Sequence, residues 1–451
     1  MGILLSACAT SGTVYETREV ASPQRPAHNG ERKLYFAKDS SEAEMSYSFY
    51  VLAGGMRPTP EQAEALVEKQ VAHLFGTMTQ SFSFTAIPKR GHQISNVSVR
   101  PAAGGWRIDY DYRGIIVAQE AAGTTQIPIL LPFDPTRIFA QGNKNGQLRP
   151  NPCTDPHYDL DTYHWYFWNP RNPGCGLKEG EHYARIEAKL KRLPNSRAKY
   201  PQYRDLVHNG EIRVDVLMGL DNPWGGVYDP VRSRDYNATN WRAIAARLRQ
   251  AGYKSRVWDR VEVERYGQPT VMERGLPWVE EFTKQAKNAK ITVRVVFGNS
   301  ELDSGRVFQA FLKDALETAS VFVYAGHSGL GANLDLDKIE RLNKFKIEMP
   351  KDRYQIHFMN GCSTYSYYNS MFFKRKESPA DPRGTKNLDI ITNGLATYFT
   401  AIDPSTNTLL SAIDAWGSSG RSMSYPQMIQ LMDSDNLIGI NGEEDNPDRP
   451  L

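Results

Sequence analysis

The sequence lacks any apolar run approaching 18 residues, and its mean hydropathy is −0.53. No segment therefore reads as a helix that crosses a bilayer. Charge of one sign is missing too. Fifty-four Lys and Arg face 51 Asp and Glu, for a net charge of +3. No basic run stands out, so nucleic acid is not an expected partner. Cysteine is scarce at four residues, Cys8, Cys153, Cys175 and Cys362, too few for a disulfide framework to replace a core. Against these absences stand 40% hydrophobic, 11% aromatic and 23% charged residues over 451 positions. That is globular composition, which excludes wholesale disorder, and the length suggests about three domains.

The first cysteine sits in Leu5-Ser6-Ala7-Cys8. These four residues resemble a bacterial lipobox, in which an aliphatic and two small residues precede the cysteine that receives lipid. The resemblance implies a bacterial envelope protein lipid-anchored at Cys8, in the outer membrane or on the surface, facing the periplasm or the exterior. Its membrane partner would be reached through lipid rather than a spanning helix. A charged region and an apolar core normally precede such a site, whereas only Gly2 to Leu5 stand here, which points to an upstream start codon. Residues 9–30 are rich in Ser, Thr, Pro and Gly and read as a flexible linker.

Cys153 and Cys175 bracket a 21-residue loop with six aromatics. In an oxidising envelope, a disulfide closing this loop would stabilise by about 3 kcal/mol in the chain-entropy model. Asp155, His157, Asp159, Asp161 and His164 lie in the same loop. Their spacing matches no metal motif, so no metal and no cofactor is expected. The run from Tyr163 to Trp168 suits either a stacking platform or interface packing.

Patterning divides the chain into 1–30, a linker; 31–150, an α+β domain; 151–205, a Cys-bracketed connecting segment; 206–432, an α/β domain; and 433–451, a polar tail. In the second, Ala63, Leu66, Val67, Val71 and Leu74 recur at helical spacing behind Thr59, a helix cap. Strands are expected at 94–99, 106–117 and 125–131, with a hairpin at Ala103-Gly104-Gly105. A basic helix is expected near 181–193. From 206 on, strands at 211–220, 254–258, 291–297, 320–325, 354–359 and 388–392 alternate with helices at 237–251, 305–318 and 336–345. That alternation predicts βαβ units and a mostly parallel sheet flanked by helices.

In such sheets ligands gather at the carboxyl ends of the strands. The strand at 320–325 runs into Gly326-His327-Ser328-Gly329, and the strand at 354–359 runs into Asn360-Gly361-Cys362-Ser363. Residues 330–353 suffice for one crossover helix, so His327 and Cys362 are expected at neighbouring strand tips. A thiol of pKa near 8.5 is mostly protonated at neutral pH, and an adjacent imidazole can take that proton and later give it to a leaving amine.

Strand, His, small residue and Gly, then a crossover, then strand and Gly-Cys-Ser, resembles the caspase-like fold of caspases, legumain, clostripain, gingipains and separase. The resemblance would cover about 206–432. It implies a cysteine peptidase acting on a peptide or protein substrate, with Cys362 as nucleophile and His327 as general base and acid. Backbone N–H groups of Cys362 and of Ser328 or Gly329 would form the oxyanion hole. The family usually has Gly directly after His, whereas Ser328 stands there. Asp335, Asp337, Asp389 and Asp403 lie near strand ends or in the loops that follow, where a carboxylate could select basic substrate side chains, although such residues more often serve as helix caps or solvated charges.

Two other readings compete. Gly326-His327-Ser328 is similar to a serine-hydrolase elbow, but Leu330 stands where its second glycine should be. Alternatively the layer is catalytically inactive, and the protein is a surface lipoprotein that binds peptide, glycan or protein. The cysteine arithmetic favours a used thiol, with one lipidated, two paired and Cys362 left over.

Overall fold

A computed structural model describes residues 35–74, 78, 85–86, 92–119, 123–136, 152–153, 168–195, 199–222, 226–267, 275–329, 332–433 and 436–450. The chain forms two compact units, one of Lys33–Lys38 with Asn195–Leu451 and one built over Asp39–Pro194. The boundaries differ from those expected. Strand β1 (Tyr35–Ala37) belongs to the larger unit, and the segment up to Pro194 belongs to the smaller one.

The smaller unit is an antiparallel sheet. It consists of β2 (Ser40–Ala53), β3 (Thr85–Ala86), β4 (Gln93–Ala102), β5 (Gly105–Gln119), β6 (Gln126–Pro132) and β7 (Tyr183–Arg192). The order is β3-β5-β2-β7-β6, with β4 also paired to β5. Alternation is the cause: Ala43, Met45 and Tyr47 of β2 are buried between outward Glu44 and Ser46. The β4–β5 hairpin turns where expected, with Ala102 opposite Gly105 and Gly104 at φ +79°.

Helix α1 (Pro60–Val71) starts at a capping box in which Thr59 and Gln62 satisfy each other's backbone N–H, and it buries Ala63, Val67 and Val71. Its Gln70 is wholly buried. The amide donates to Tyr50 O (3.0 Å) and Pro132 O (2.5 Å) and accepts from Tyr110 OH, tying helix to sheet.

The basic helix expected at 181–193 is strand β7 instead, paired with β6 and β2. Ile186, Ala188 and Leu190 face inward, while Arg185, Glu187, Lys189 and Lys191 are exposed. That is period two, and pairing on both edges outweighs the helical propensity of Glu, Ala, Lys and Leu. Cys153 and Cys175 are disulfide-bonded with Cα atoms 4.8 Å apart, packed with Leu130, Trp168 and Tyr183. The aromatic run before Trp168 and the Asp/His set from Asp155 to His164 lie outside the described residues.

The larger unit holds β8 (Glu211–Gly219), β9 (Lys254–Val257), β10 (Trp278–Gln285), β11 (Lys290–Gly298), β12 (Val321–Ala325), β13 (Gln355–Asn360), β14 (Leu388–Asn393) and β15 (Ile438–Asn441). With β1 they make nine strands in the order β1-β15-β14-β13-β12-β8-β11-β10-β9. The five from β14 to β11 are parallel, and both flanks are antiparallel.

The sheet is therefore mixed rather than mostly parallel. The four residues between β10 and β11 allow only a hairpin, since a parallel return needs a crossover. Helices α2 (Tyr236–Gln250), α3 (Arg260–Glu264), α4 (Arg306–Thr318), α5 (Leu336–Asn343), α6 (Thr364–Tyr367), α7 (Asn369–Lys376), α8 (Phe399–Ser419) and α9 (Tyr425–Met432) complete this unit. On one face Trp241, Ile244, Ile413 and Met428 pack against Val214 and Val216. On the other Phe308, Phe311, Leu312 and Phe372 pack against Leu217 and Val296.

The segment expected as a polar tail is structural. Its Ile438–Asn441 is β15, paired between β14 and β1. Beyond it, Asn446 is buried and donates to Asp389 Oδ2 at 2.5 Å.

Candidate active site at the strand tips

The site lies within the larger unit. Strands β12 and β13 are parallel neighbours, with Val321 opposite Ile356 and Ala325 opposite Asn360. Gly326-His327 and Gly361-Cys362 therefore leave adjacent strands at matched positions. Glycine is needed at both exits. A Cβ on Gly361 would stand 2.6 Å from Gly326 O, and one on Gly326 would stand 3.2 Å from Gly219 Cα. Ser328 Oγ then donates to Cys362 O at 2.6 Å, joining the two loops directly.

His327 and Cys362 are each 2% exposed. His327 Nε2 lies 3.0 Å from Asp221 O and 3.2 Å from Asp221 Oδ1. Both of these atoms are acceptors, so Nε2 carries the proton, and in the neutral ring Nδ1 is the basic nitrogen. Phe399 meets the imidazole edge-on with centroids 6.3 Å apart, and Tyr324 OH donates to His327 O.

Asp221 follows β8 and is itself held in place. Its N–H and that of Asn222 donate to Asp235 Oδ2 at 2.8 and 3.1 Å, while Asp235 Oδ1 caps α2 through Asn237 N–H. Burial raises the Asp235 carboxyl above its ordinary pKa. Glu301, in the loop after β11, is likewise raised by burial, an effect opposed by the nearby His327.

Behind Cys362 the backbone is pinned. Gly361 O accepts from Asn393 Nδ2 and Thr397 Oγ1, both at 3.0 Å, and Asn360 Nδ2 reaches Ser405 Oγ at 2.9 Å. Ser363 is held left-handed at φ +50°, with its N–H on Leu395 O at 2.9 Å. Gly329 is also left-handed, and Asn333 Oδ1 fills the space a Cβ would need there.

Several expectations change. Cys362 was expected as the one free thiol, yet it is disulfide-bonded, and no described cysteine is free. Cys8, the expected lipid site, is the one cysteine left to pair with it once Cys153 and Cys175 are joined, and lies outside the described residues. Ser328 Oγ commits its proton to Cys362 O, and its carbonyl accepts from Tyr368 OH at 2.9 Å, so this side chain ties loops together.

Three of the four aspartates weighed as selectors of basic substrates have other partners, and Asp335 is the cap that the alternative reading expected. Asp335 caps α5 by accepting from Lys338 N–H, and Asp337 pairs with Arg375. Asp389 lies at the amino half of β14, opposite Ile356 and away from the tips. It is wholly buried and accepts from Tyr354 OH and from Tyr425 OH at 2.5 Å. Asp403 lies just past the first turn of α8, beside Pro404, with a pKa raised by burial.

Sequence reasoning missed Asp221, Asp235 and Glu301. The signal was present: Asp221 and Glu301 each sit two or three residues beyond a central parallel strand, where function gathers.

Among the described residues no group of three or more His, Cys, Asp or Glu is arranged to hold a metal, and no helix is long and apolar enough to cross a membrane. Comparison with protein-family models, with curated proteins and with solved structures finds no match to this chain.

Proposed function

We propose that the protein is an envelope-anchored cysteine peptidase of caspase-like type. Cys362 is the nucleophile, His327 its base and acid, and Asp221 the carboxylate that orients the imidazole. The observation that carries this reading is the matched exit of Gly326-His327 and Gly361-Cys362 from paired parallel strands, with Asp221 on Nε2.

The reactive form is the reduced one. A thiol reductant supplies two electrons and two protons to the disulfide at Cys362 and restores its thiol. His327 Nδ1 takes the thiol proton, and the thiolate attacks the scissile carbonyl carbon. Backbone N–H groups of Cys362 and of Ser328 or Gly329 receive the oxyanion. His327 then protonates the departing amine, leaving a thioester that water, deprotonated by the same imidazole, hydrolyses. Lipid at Cys8 would hold the enzyme at a membrane surface, and because a lipidated Cys8 cannot form a disulfide it would also leave Cys362 as the free thiol without a reductant.

The burial of Cys362 and its disulfide form favour a second reading, an inactive caspase-like surface lipoprotein that binds peptide, glycan or protein. One measurement separates the two. Reduced protein truncated before residue 31, with Cys153–Cys175 kept oxidised, is alkylated by iodoacetamide across pH 5–9. The peptidase reading expects rapid labelling of Cys362 below pH 7 that His327→Ala abolishes, together with peptide hydrolysis. Slow labelling that ignores His327 overturns it in favour of the binding protein.

A further inference from the structure

Large exposed aromatics scattered singly need no explanation, but here one, Tyr236, stacks on a ring that touches the catalytic candidate. Tyr236 is 49% exposed and Tyr398 is 42% exposed. Phe399, which follows Tyr398 in the chain, stacks on Tyr236 with centroids 5.0 Å apart and planes 16° apart, and meets His327 edge-on. Phe399 is nearly buried, so it fixes the Tyr236 ring while leaving much of the Tyr236 surface open.

The backbone supports on both sides are shared with the site. Tyr236 opens α2 directly after Asp235, the residue that holds the Asp221 backbone. Tyr398 follows Thr397, which bonds Gly361 O.

We infer that Tyr236, Phe399 and Tyr398 form a substrate subsite, a flat apolar shelf that receives an aromatic or large aliphatic side chain of the peptide. The inference rests on the peptidase reading of the same site. An extended peptide advances about 3.3 Å per residue. Phe399 lies 6.3 Å from His327 and Tyr236 a further 5.0 Å from Phe399, so the Tyr236 ring would meet a side chain within about three residues of the scissile bond. Tyrosine rings suit this task because they offer large rigid area at little cost in rotamer freedom.

The test is a mixed peptide library digested by the reduced protein, with cleavage windows read by mass spectrometry. It compares wild type with Tyr236→Ala/Tyr398→Ala and with Tyr236→Phe, and iodoacetamide labelling of Cys362 is followed in each. The expected result is roughly tenfold enrichment of Phe, Tyr, Trp or Leu within three residues of the cut. That enrichment falls to near unity in the double variant and is retained in Tyr236→Phe, while Cys362 labelling stays His327-dependent throughout. Cleavage without apolar enrichment, or enrichment that survives the double variant, overturns the shelf and leaves the peptidase intact. If no peptide is cut and labelling ignores His327, the peptidase reading falls and the shelf falls with it as a substrate subsite.

Discussion

The two units of this chain place their polar groups in opposite ways. In the smaller unit the antiparallel sheet buries one row of each strand and leaves charge on the other, as Arg185, Glu187, Lys189 and Lys191 do on β7. In the larger unit both faces of the parallel core are covered, and charge goes inside with partners. Arg294 and Asp215, 2% and 0% exposed, bond through two nitrogens at 2.9 and 2.8 Å, with Asp314 and Tyr266 closing the cluster. A half-solvated sheet can set polar groups outward, whereas a sheet covered on both sides must pair them or neutralise them. The same covering leaves the strand tips as the place where His327 and Cys362 gather.

That contrast can be broken by removing one partner in the larger unit. Arg294→Met leaves the buried Asp215 with only the part-exposed Arg213, at 3.0 Å, to balance it, and should cost about 3 kcal/mol in chemical denaturation. Arg294→Met combined with Asp215→Leu should recover most of that loss. A recovery of nothing would show that the strands need the ions themselves.

Asp389 sharpens the comparison through pH. Burial pushes its carboxyl up to about 7, against about 3.9 when unfolded. The folded state therefore prefers the proton. The stability it contributes is full below about pH 4 and is lost as pH rises through 7, by on the order of 4 kcal/mol. Denaturation of the larger unit from pH 4 to 8 should show this decline, and Asp389→Asn should flatten it.

In the smaller unit, replacing Cys153 and Cys175 by Ser should cost about 3 kcal/mol. Hydrogen exchange should show the loss confined to Leu130, Trp168 and Tyr183 and their neighbours. The smallest effect is expected for Thr59→Ala, which removes the cap of α1 at about 1 kcal/mol, read as faster exchange in the first turn of that helix.

Much of this architecture was legible in the residues. The capping pattern at Thr59, the hairpin glycines at 104 and 105, and the strand–helix alternation after 206 all appear in the structure close to their expected places. Strand β7 did not. Its charged, helix-favouring composition hid a two-residue period that only pairing with β2 and β6 rewards. The strand in the expected tail was hidden because Ile438–Asn441 is too short to read without β14 and β1 beside it. At the site, His327 and Cys362 leave adjacent strands as expected, while Asp221 and Glu301 went unnamed: their place beyond a parallel strand was legible, but which carboxylate there faces the imidazole was not.

By itself the sequence determined which segments alternate, which cap, and which chemically capable residues follow a strand, because those properties depend on neighbours a few positions away. The tertiary structure alone decided that Asp221 faces His327 across 106 positions, that Asp389 is buried among tyrosines far from the tips, and that Ser328 bonds the Cys362 backbone. Those outcomes depend on strand order and register. Both are settled by burying two faces of one sheet at once, a condition that no short stretch of chain contains.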